Sequence, residues 1–293
     1  MIDLHLHILP GVDDGAASAQ DALQMAAALL EAGVHTAVAT PHFNDRTYDL
    51  LPNSESVARR VHDLSSLFAQ QEKGLALMPG AECYLTSELP DRVKAHLAPT
   101  LGGGRYLLVE LPLAPAIRYA DRIVSDLHRQ GVTVLLAHAE RYPFVQQSLN
   151  NLEPLLSCGI GVQVSWRSLR LDAPAGQRRT AESLIERGIA HVLATDAHRV
   201  AHIQDMVSLR LRVGELAGPD NLALLTEENP RRVLAGERLL PCAPVDRSTG
   251  RSPSRRWWLF GRWLGRPVLA PRAAAAWRSA DRWYDNNRNR DET

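Results

Sequence analysis

Along residues 1–240, short apolar runs alternate with stretches whose apolar residues recur at helical spacing. The runs MIDLHLH (1–7), HTAVATPHF (35–43), LALMPGAECYL (75–85), YLLVELP (106–112), TVLLAHAE (133–140), GVQVSW (161–166) and HVLATDAH (191–198) are short, and most contain Val or Ile, which predicts strands. Between them, DALQMAAALLEAGV, DRIVSDLHRQGV and AESLIERGIA predict amphipathic helices that stop at Gly33, Gly131 and Gly188. NPRRVL predicts a further helix, with Asn229 as N-cap and Pro230 in its first turn.

Strands alternating with helices imply a parallel sheet. In most of these strands the polar residue falls toward the C-terminal end: His7, His42, Glu82, Glu110, His138, Asp196 and His198. A barrel brings all such ends to one mouth, whereas an open doubly wound sheet gathers two or three at a switch point. Gly102 to Gly104 precede a strand, the wrong side for a loop that cradles phosphate. The expected fold is therefore α/β, a distorted seven-stranded, TIM-like (β/α)7 barrel over residues 1–240.

Composition changes this picture mainly at the end of the chain. The 293 residues are 45% hydrophobic, enough to bury a sizeable core, and their formal net charge is zero. That neutrality is uneven. Residues 241–293 hold eleven Arg, no Lys and five acids, so the preceding 240 are acidic. Five of the six tryptophans also lie there, in a Pro-interrupted stretch that includes RRWWLFGRWLGR. Residues 241–293 are expected to be a separate basic, Trp-rich extension, flexible or peripheral, with a composition suited to an anionic membrane surface or an acidic partner. Cys83, Cys158 and Cys242 form no CxxC, and no Cys is followed six positions later by Arg, so neither a disulfide framework nor a thiol phosphatase loop is expected. No basic-then-apolar leader and no run near membrane-spanning length is present, so a cytoplasmic location is expected.

The first strand carries the chemistry. Side chains alternate along a strand, so Asp3, His5 and His7 should share one face and Ile2, Leu4 and Leu6 the other. Two imidazoles spaced in this way suit one metal ion, and Asp14, just past the strand, can reach a neighbouring one. With His42, Glu82, Glu110, His138, Asp196 and His198 the set has five imidazoles and four carboxylates, more than one ion can use. Gathering them without cations would carry a large desolvation and repulsion cost, so two or three divalent ions with bridging carboxylates are expected. The ligands fit Mn, Fe, Zn or Co alike. His35, His62, His96, His128 and His191 lie on helices or at strand starts, where a structural role is expected.

These residues resemble the PHP family of metal-dependent phosphoesterases, with its HxH start and DxH end. More closely still, DLHLHILPGVDDG, TPHF, GAE, VELP, HAERY and TDAH follow in the order and spacing of the bacterial protein-tyrosine phosphatases of capsule and exopolysaccharide gene clusters, and NPRRVL closes the domain as in relatives. The resemblance covers residues 1 to about 240 and implies a PHP-type metallophosphatase. It implies that His5, His7, Glu82 and Asp196 serve a first ion, that Glu82 bridges to a second held by Glu110 and His138, and that Asp14, His42 and His198 hold a third. Manganese heads the expected metals. Arg141 resembles the branch's phosphate-binding arginine and, with His198 and Asp14, forms the expected catalytic set. Relatives often carry another arginine after the DxH, where this chain has Arg199 beside His198 and His202 near the expected place. The activity implied is phosphomonoester hydrolysis by a hydroxide held between two ions. Its partner would be a phosphotyrosine protein, a membrane-associated capsule tyrosine autokinase, with peripheral membrane contact through the extension. No nucleic-acid partner is expected, and an oligomer is compatible. Competing readings are a phosphatase for a small metabolite such as histidinol phosphate and a non-catalytic metal-bound scaffold.

Overall fold

The computed structural model describes residues 1–45, 47–48, 51–72, 74–112 and 119–245. The Trp-rich stretch of the extension lies outside the described residues. Nine strands are present among those described: β1 (Ile2–Leu6), β2 (Thr36–Ala39), β3 (His42–Phe43), β4 (Ala76–Pro79), β5 (Glu82–Tyr84), β6 (Tyr106–Glu110), β7 (Thr133–Leu136), β8 (Gly161–Ser165) and β9 (Val192–Ala194). They pair in parallel throughout, as a three-stranded sheet β1-β2-β4 and a six-stranded sheet β3-β5-β6-β7-β8-β9.

Two stretches expected as single strands, 35–43 and 75–85, are each divided in two. The first break falls at Thr40-Pro41, where proline has no N–H for a ladder bond. The second falls at Gly80-Ala81, where a Cβ on Gly80 would lie 2.6 Å from Val38 Cγ1, so only glycine fits so close an approach. The end of β1 meets the segment just after β9. His7 N–H donates to Ala197 O (3.0 Å) and Asp196 N–H to His5 O (2.9 Å). Asp3, buried under this seam, accepts from Thr195 N–H (3.0 Å) and Thr195 Oγ1–H (2.5 Å).

The helices form where the periodicity predicts them. Ala19–Glu31 starts from a Ser18–Asp21 capping box, and Gly33 beyond its end has φ +82°. The helices Ala120–Arg129 and Ala175–Glu186 are followed by Gly131 (φ +84°) and Gly188 (φ +69°). Asn229 differs from expectation. It is already helical, preceded by a turn of π-helix over Leu224–Glu228, and does not cap. Its buried amide instead donates to His191 O and Leu240 O (both 2.9 Å) and accepts from Leu240 N–H (2.7 Å). Residues 241–245, assigned by composition to the extension, lie against the rest: Cys242 is buried, and Val245 N–H donates to Glu186 O at 2.7 Å.

Most of the core lies between strands and helices, with Leu6, Met25, Leu29, Phe43, Val109, Leu136, Val164, Trp166 and Leu184 among its members. A smaller cluster draws Leu4, Val38, Tyr106, Leu108, Leu135, Val192 and Ala194 from strands of both sheets, with Leu101, Ala137 and Val233. Leu4 and Leu6 belong to different clusters, and the register of β1 on β2 slips between Asp3 and Leu6. The alternation expected for β1 therefore holds for His5 and His7, whose Nε2 atoms lie 3.2 Å apart, but not for Leu4 and Leu6.

His191, just before β9, is one of the histidines expected to be structural. Its Nδ1 accepts from Val162 N–H (3.2 Å), and burial pushes its pKa from 6.5 down to about 4. The folded state therefore keeps this ring neutral while the unfolded chain protonates it below pH 6.5. Its contribution to stability is complete above that pH and is lost as pH falls toward 4. His191→Gln retains an acceptor but cannot titrate there. Its urea midpoint is expected to fall less steeply between pH 6.5 and 4 than that of the parent protein.

Candidate metal centre

The turn after β1 is built around His7. Ala16 N–H returns to His7 O (3.1 Å), and a Cβ on Gly15 would lie 2.1 Å from that oxygen, which fixes glycine at this position of the DDG sequence. Asp13 then lies beneath the ring. Its Oδ1 accepts from Gly15 N–H (2.9 Å), and its Oδ2 accepts from His42 N–H (3.2 Å) and lies 2.8 Å from His7 Nδ1. A carboxylate only accepts, so His7 carries a proton on Nδ1 and turns its Nε2 toward the other ligand atoms.

Gln163, in the middle of β8, does the same for His5. Its Oε1 accepts from His138 N–H (2.8 Å) and lies 3.2 Å from His5 Nδ1, so His5 also turns its Nε2 toward the other ligand atoms. The two Nε2 atoms face each other at 3.2 Å. Each is 3.2 Å from Glu82 Oε2, and they lie 3.5 and 3.7 Å from Asp196 Oδ1. Four ligand atoms, two imidazole nitrogens and two carboxylate oxygens, converge on one point.

The remaining expected ligands close around this point. His42 Nδ1 lies 3.3 Å from Glu82 Oε2, and its Nε2 lies 3.4 Å from Asp14 Oδ1. His198 donates Nδ1–H to Asp196 O (3.0 Å), which aims its Nε2 at Asp14 Oδ1 (3.3 Å). His138 Nε2 lies 2.7 Å from Glu82 Oε1 and 3.7 Å from Glu110 Oε1, while its buried Nδ1 has no hydrogen-bond partner. All nine residues expected as ligands are thus brought together, from segments as far apart in the chain as His5 and His198. Three groups have ligand atoms within 4.8 Å of one another: His5, His7 and Asp196; His42, Glu82 and Glu110; and His7, Asp14, His42 and His198. His42 approaches Glu82 and Glu110 in addition to Asp14, and His7 joins the outer group as well as the inner one.

The electrostatics call for positive charge at this point. Burial favours the neutral form of His7, but Asp13 and Glu82 outweigh it and raise its pKa well above 6.5. Burial likewise opposes ionisation of Glu82, yet His5, His138 and His7 drive its carboxyl well below the usual carboxylate range. Glu110 is pushed up to about 7 by burial and by the neighbouring Glu82. Such a set is satisfied by protons or by cations, and its imidazole and carboxylate donors are those of a divalent metal site. His138 (φ +32°) and Asp196 (φ +51°) both hold left-handed backbone, an expense of local conformation that clusters at functional sites.

Arg141 lies at the rim, in the turn after β7. It donates to Asp196 Oδ2 (2.8 Å) while remaining about one-third exposed. Asp13, Gln163, Arg167 and Tyr48 belong to the same neighbourhood but were not among the expected site residues. Tyr48 stacks on His42 with ring centroids 5.3 Å apart, and Arg167 lies 3.9 Å from Asp196 Oδ2. A lone amide in the apolar run GVQVS was the available signal for Gln163, and the paired acids of DDG were the signal for Asp13. Cys83 is buried beside Glu82, and burial pushes its thiol pKa far up, which keeps it an unreactive core residue.

A curled parallel α/β sheet with imidazoles and carboxylates converging past its strand ends defines a metal-dependent hydrolase. Within that class the family is specific: residues 1–235 match the model for capsular polysaccharide synthesis, CpsB/CapC, and the chain belongs to that family. It is 29% identical to the tyrosine-protein phosphatase YwqE of Bacillus subtilis over 262 residues, 89% of this chain and 99% of that one. It is also similar to a solved structure from the study of YwqE and of CpsB from Streptococcus pneumoniae, described as unique metal-dependent tyrosine phosphatases. That match has a TM-score of 0.76 at 28% identity and covers 84% of this chain and all of the other. A lactonase from Listeria monocytogenes shares the fold at 12% identity, with a TM-score of 0.54 over 80% of this chain and 94% of its own.

Proposed function

We propose that the chain is a metal-dependent protein-tyrosine phosphatase acting on a phosphotyrosine protein of capsule or exopolysaccharide assembly. The observation that carries this reading is the convergence of His5 Nε2, His7 Nε2, Glu82 Oε2 and Asp196 Oδ1 on one point, with the arginine Arg141 at its rim. Membership of the CpsB/CapC family supports the substrate class. We read β2 with β3, and β4 with β5, as single interrupted staves of a seven-staved barrel of the PHP type.

The residues that would hold the inner ion are His5, His7, Glu82 and Asp196. Glu82, Glu110 and His138 would hold a second, with His42 within reach, and Asp14, His42 and His198 a third; manganese fits this donor set. When bound, such ions supply Lewis acidity toward the phosphoryl oxygens and a water acidified enough to serve as nucleophile near neutral pH. The chain supplies the rest. Arg141, braced by Asp196 and about one-third exposed, would take phosphoryl oxygens, for which its planar fork is suited. His198, whose pKa falls to about 4 through burial and the neighbouring His7, stays neutral at pH 7 and offers a lone pair there. We therefore give it a ligand role over the proton-donor role open to it in sequence. A departing phenolate has a parent pKa of about 10 and needs little protonation. The partner we favour is the tyrosine-phosphorylated kinase of the same assembly system, met at the cytoplasmic face of the membrane. No helix among the described residues is long and apolar enough to cross one.

The test is turnover of a phosphotyrosine peptide, a phosphoserine peptide and histidinol phosphate, by protein stripped with chelator and then reloaded with Mn(II). Chelator-reversible hydrolysis confined to phosphotyrosine is expected. A preference for histidinol phosphate would remove the substrate class, and full turnover after stripping would remove the metal. Asp13, which orients His7 and holds the backbone N–H groups of Gly15 and His42, gives a finer check. Asp13→Ala is expected to weaken Mn(II) binding by about 10- to 100-fold, read by metal titration.

A further inference from the structure

We propose that Arg167 is the second arm of the phosphate-binding site, pre-positioned opposite Arg141 and specific for a doubly charged phosphoryl group; this rests on the phosphatase reading above. Arg167 lies in the turn Trp166–Leu169 that follows β8, so it reaches the site from a different strand end than Arg141 does. The guanidinium groups of both residues approach the same carboxylate oxygen, Asp196 Oδ2, at 2.8 Å for Arg141 and 3.9 Å for Arg167. The other oxygen of Asp196 faces His5 and His7. Two guanidinium groups thus share one carboxylate whose remaining oxygen faces the metal ligands.

The neighbours of Arg167 do not neutralise it. Arg170 is tied to Asp172 (2.9 Å) and to Asp205, but Arg167 faces Arg141, Arg199 and Arg170, with Asp196 as its acidic neighbour. A phosphate monoester carries about −1.5 to −2 at pH 7, the amount two arginines balance.

The spacing of the two arms is built into the fold. Glu140, immediately before Arg141, is fully buried and accepts at Oε1 from Ser165 N–H (3.0 Å) and Ser168 Oγ–H (2.6 Å). That carboxylate ties the segment bearing Arg141 to the two residues that flank Trp166 and Arg167. Trp166 and Leu169, both buried, anchor the same turn. Both arms are still about one-third exposed, so they are open to an incoming group.

The experiment uses the full chain loaded with Mn(II) and compares Arg167→Gln, Arg167→Lys and Arg199→Gln, the last removing an equal charge from an exposed neighbour. Two readouts are taken: binding of orthophosphate by calorimetry, and kcat and KM on a phosphotyrosine peptide. Arg167→Gln is expected to weaken orthophosphate binding and kcat/KM by about 10-fold or more, the worth of a charge-assisted hydrogen bond. Arg167→Lys should recover part of the loss, Arg199→Gln should lose little, and metal content and thermal midpoint should be unchanged. Unchanged orthophosphate binding in Arg167→Gln overturns the inference, as does an equal loss in Arg199→Gln or a loss that follows the metal content. If the parent protein turns over no phosphotyrosine peptide, the function proposed above fails, while the calorimetry still decides the role of Arg167.

Discussion

Glu82→Gln is expected to cost the enzyme about a thousandfold or more in kcat/KM, together with most of its bound metal. The reason lies in how many partners one carboxylate serves. Its Oε2 lies 3.2 Å from both His5 Nε2 and His7 Nε2 and 3.3 Å from His42 Nδ1, while Oε1 lies 2.7 Å from His138 Nε2. Glutamine keeps the shape but carries no charge, and its amide nitrogen would present hydrogens to imidazole nitrogens or to an ion. A metal in such a site contributes several kcal/mol to the barrier, and each 1.36 kcal/mol is a factor of ten. Elemental analysis of the purified variant, with turnover measured over a range of added Mn(II), checks both parts. Normal metal content with normal turnover would show that the convergence on Glu82 is not the centre of the chemistry.

Arg141→Ala should act differently: metal content retained and kcat/KM on phosphotyrosine peptide lower by about 10²–10³, the usual cost of removing one donor aimed at developing oxyanion charge. Arg141→Lys should restore only part of it, because an ammonium keeps the charge but loses the bidentate fork. The guanidinium is braced at 2.8 Å by Asp196, so the alanine variant also frees that carboxylate oxygen. The comparison of metal content between the alanine and lysine variants separates this effect from lost phosphate contact. Loss of metal in both would move Arg141 from substrate binding to upkeep of the cluster.

Much of this was legible along the chain because the ligands fall at regular places: a polar residue near the end of an otherwise apolar strand reads the same whichever strand bears it. His7, Glu82 and Asp196 stood out for that reason and His5 for its place two residues before His7, and the structure brings the four together. What the pattern did not disclose depends on neighbours distant in sequence. Asp13 and Asp14 are indistinguishable as letters, yet the first orients His7 from below while the second faces His42 and His198 from the solvent side. Gln163 and Arg167 acquire their roles only when β8 is laid beside β7 and β9. Asn229 has the signature of a cap, but the π-helical turn before it extends the helix and frees its amide to hold Leu240. The division of 35–43 into two strands was written in Pro41, whereas the break at Gly80 follows from how closely Val38 approaches.

The contact between the first strand and the segment after the last one bears on how the molecule comes to exist. On the ribosome, Asp3, His5 and His7 emerge at the outset, but their backbone partners Thr195, Asp196 and Ala197 follow nearly two hundred residues later. Pairing across so long a loop is slow, because the entropy of bringing the ends together is spent before any contact rewards it. Residues we propose as ligands of the inner ion sit on both margins of this junction, so capture of a cation would also rivet the start of the nascent polypeptide to its late portion. Maturation of the enzyme and acquisition of its metal would then be a single event, and cells short of that metal would accumulate chains left open along this seam.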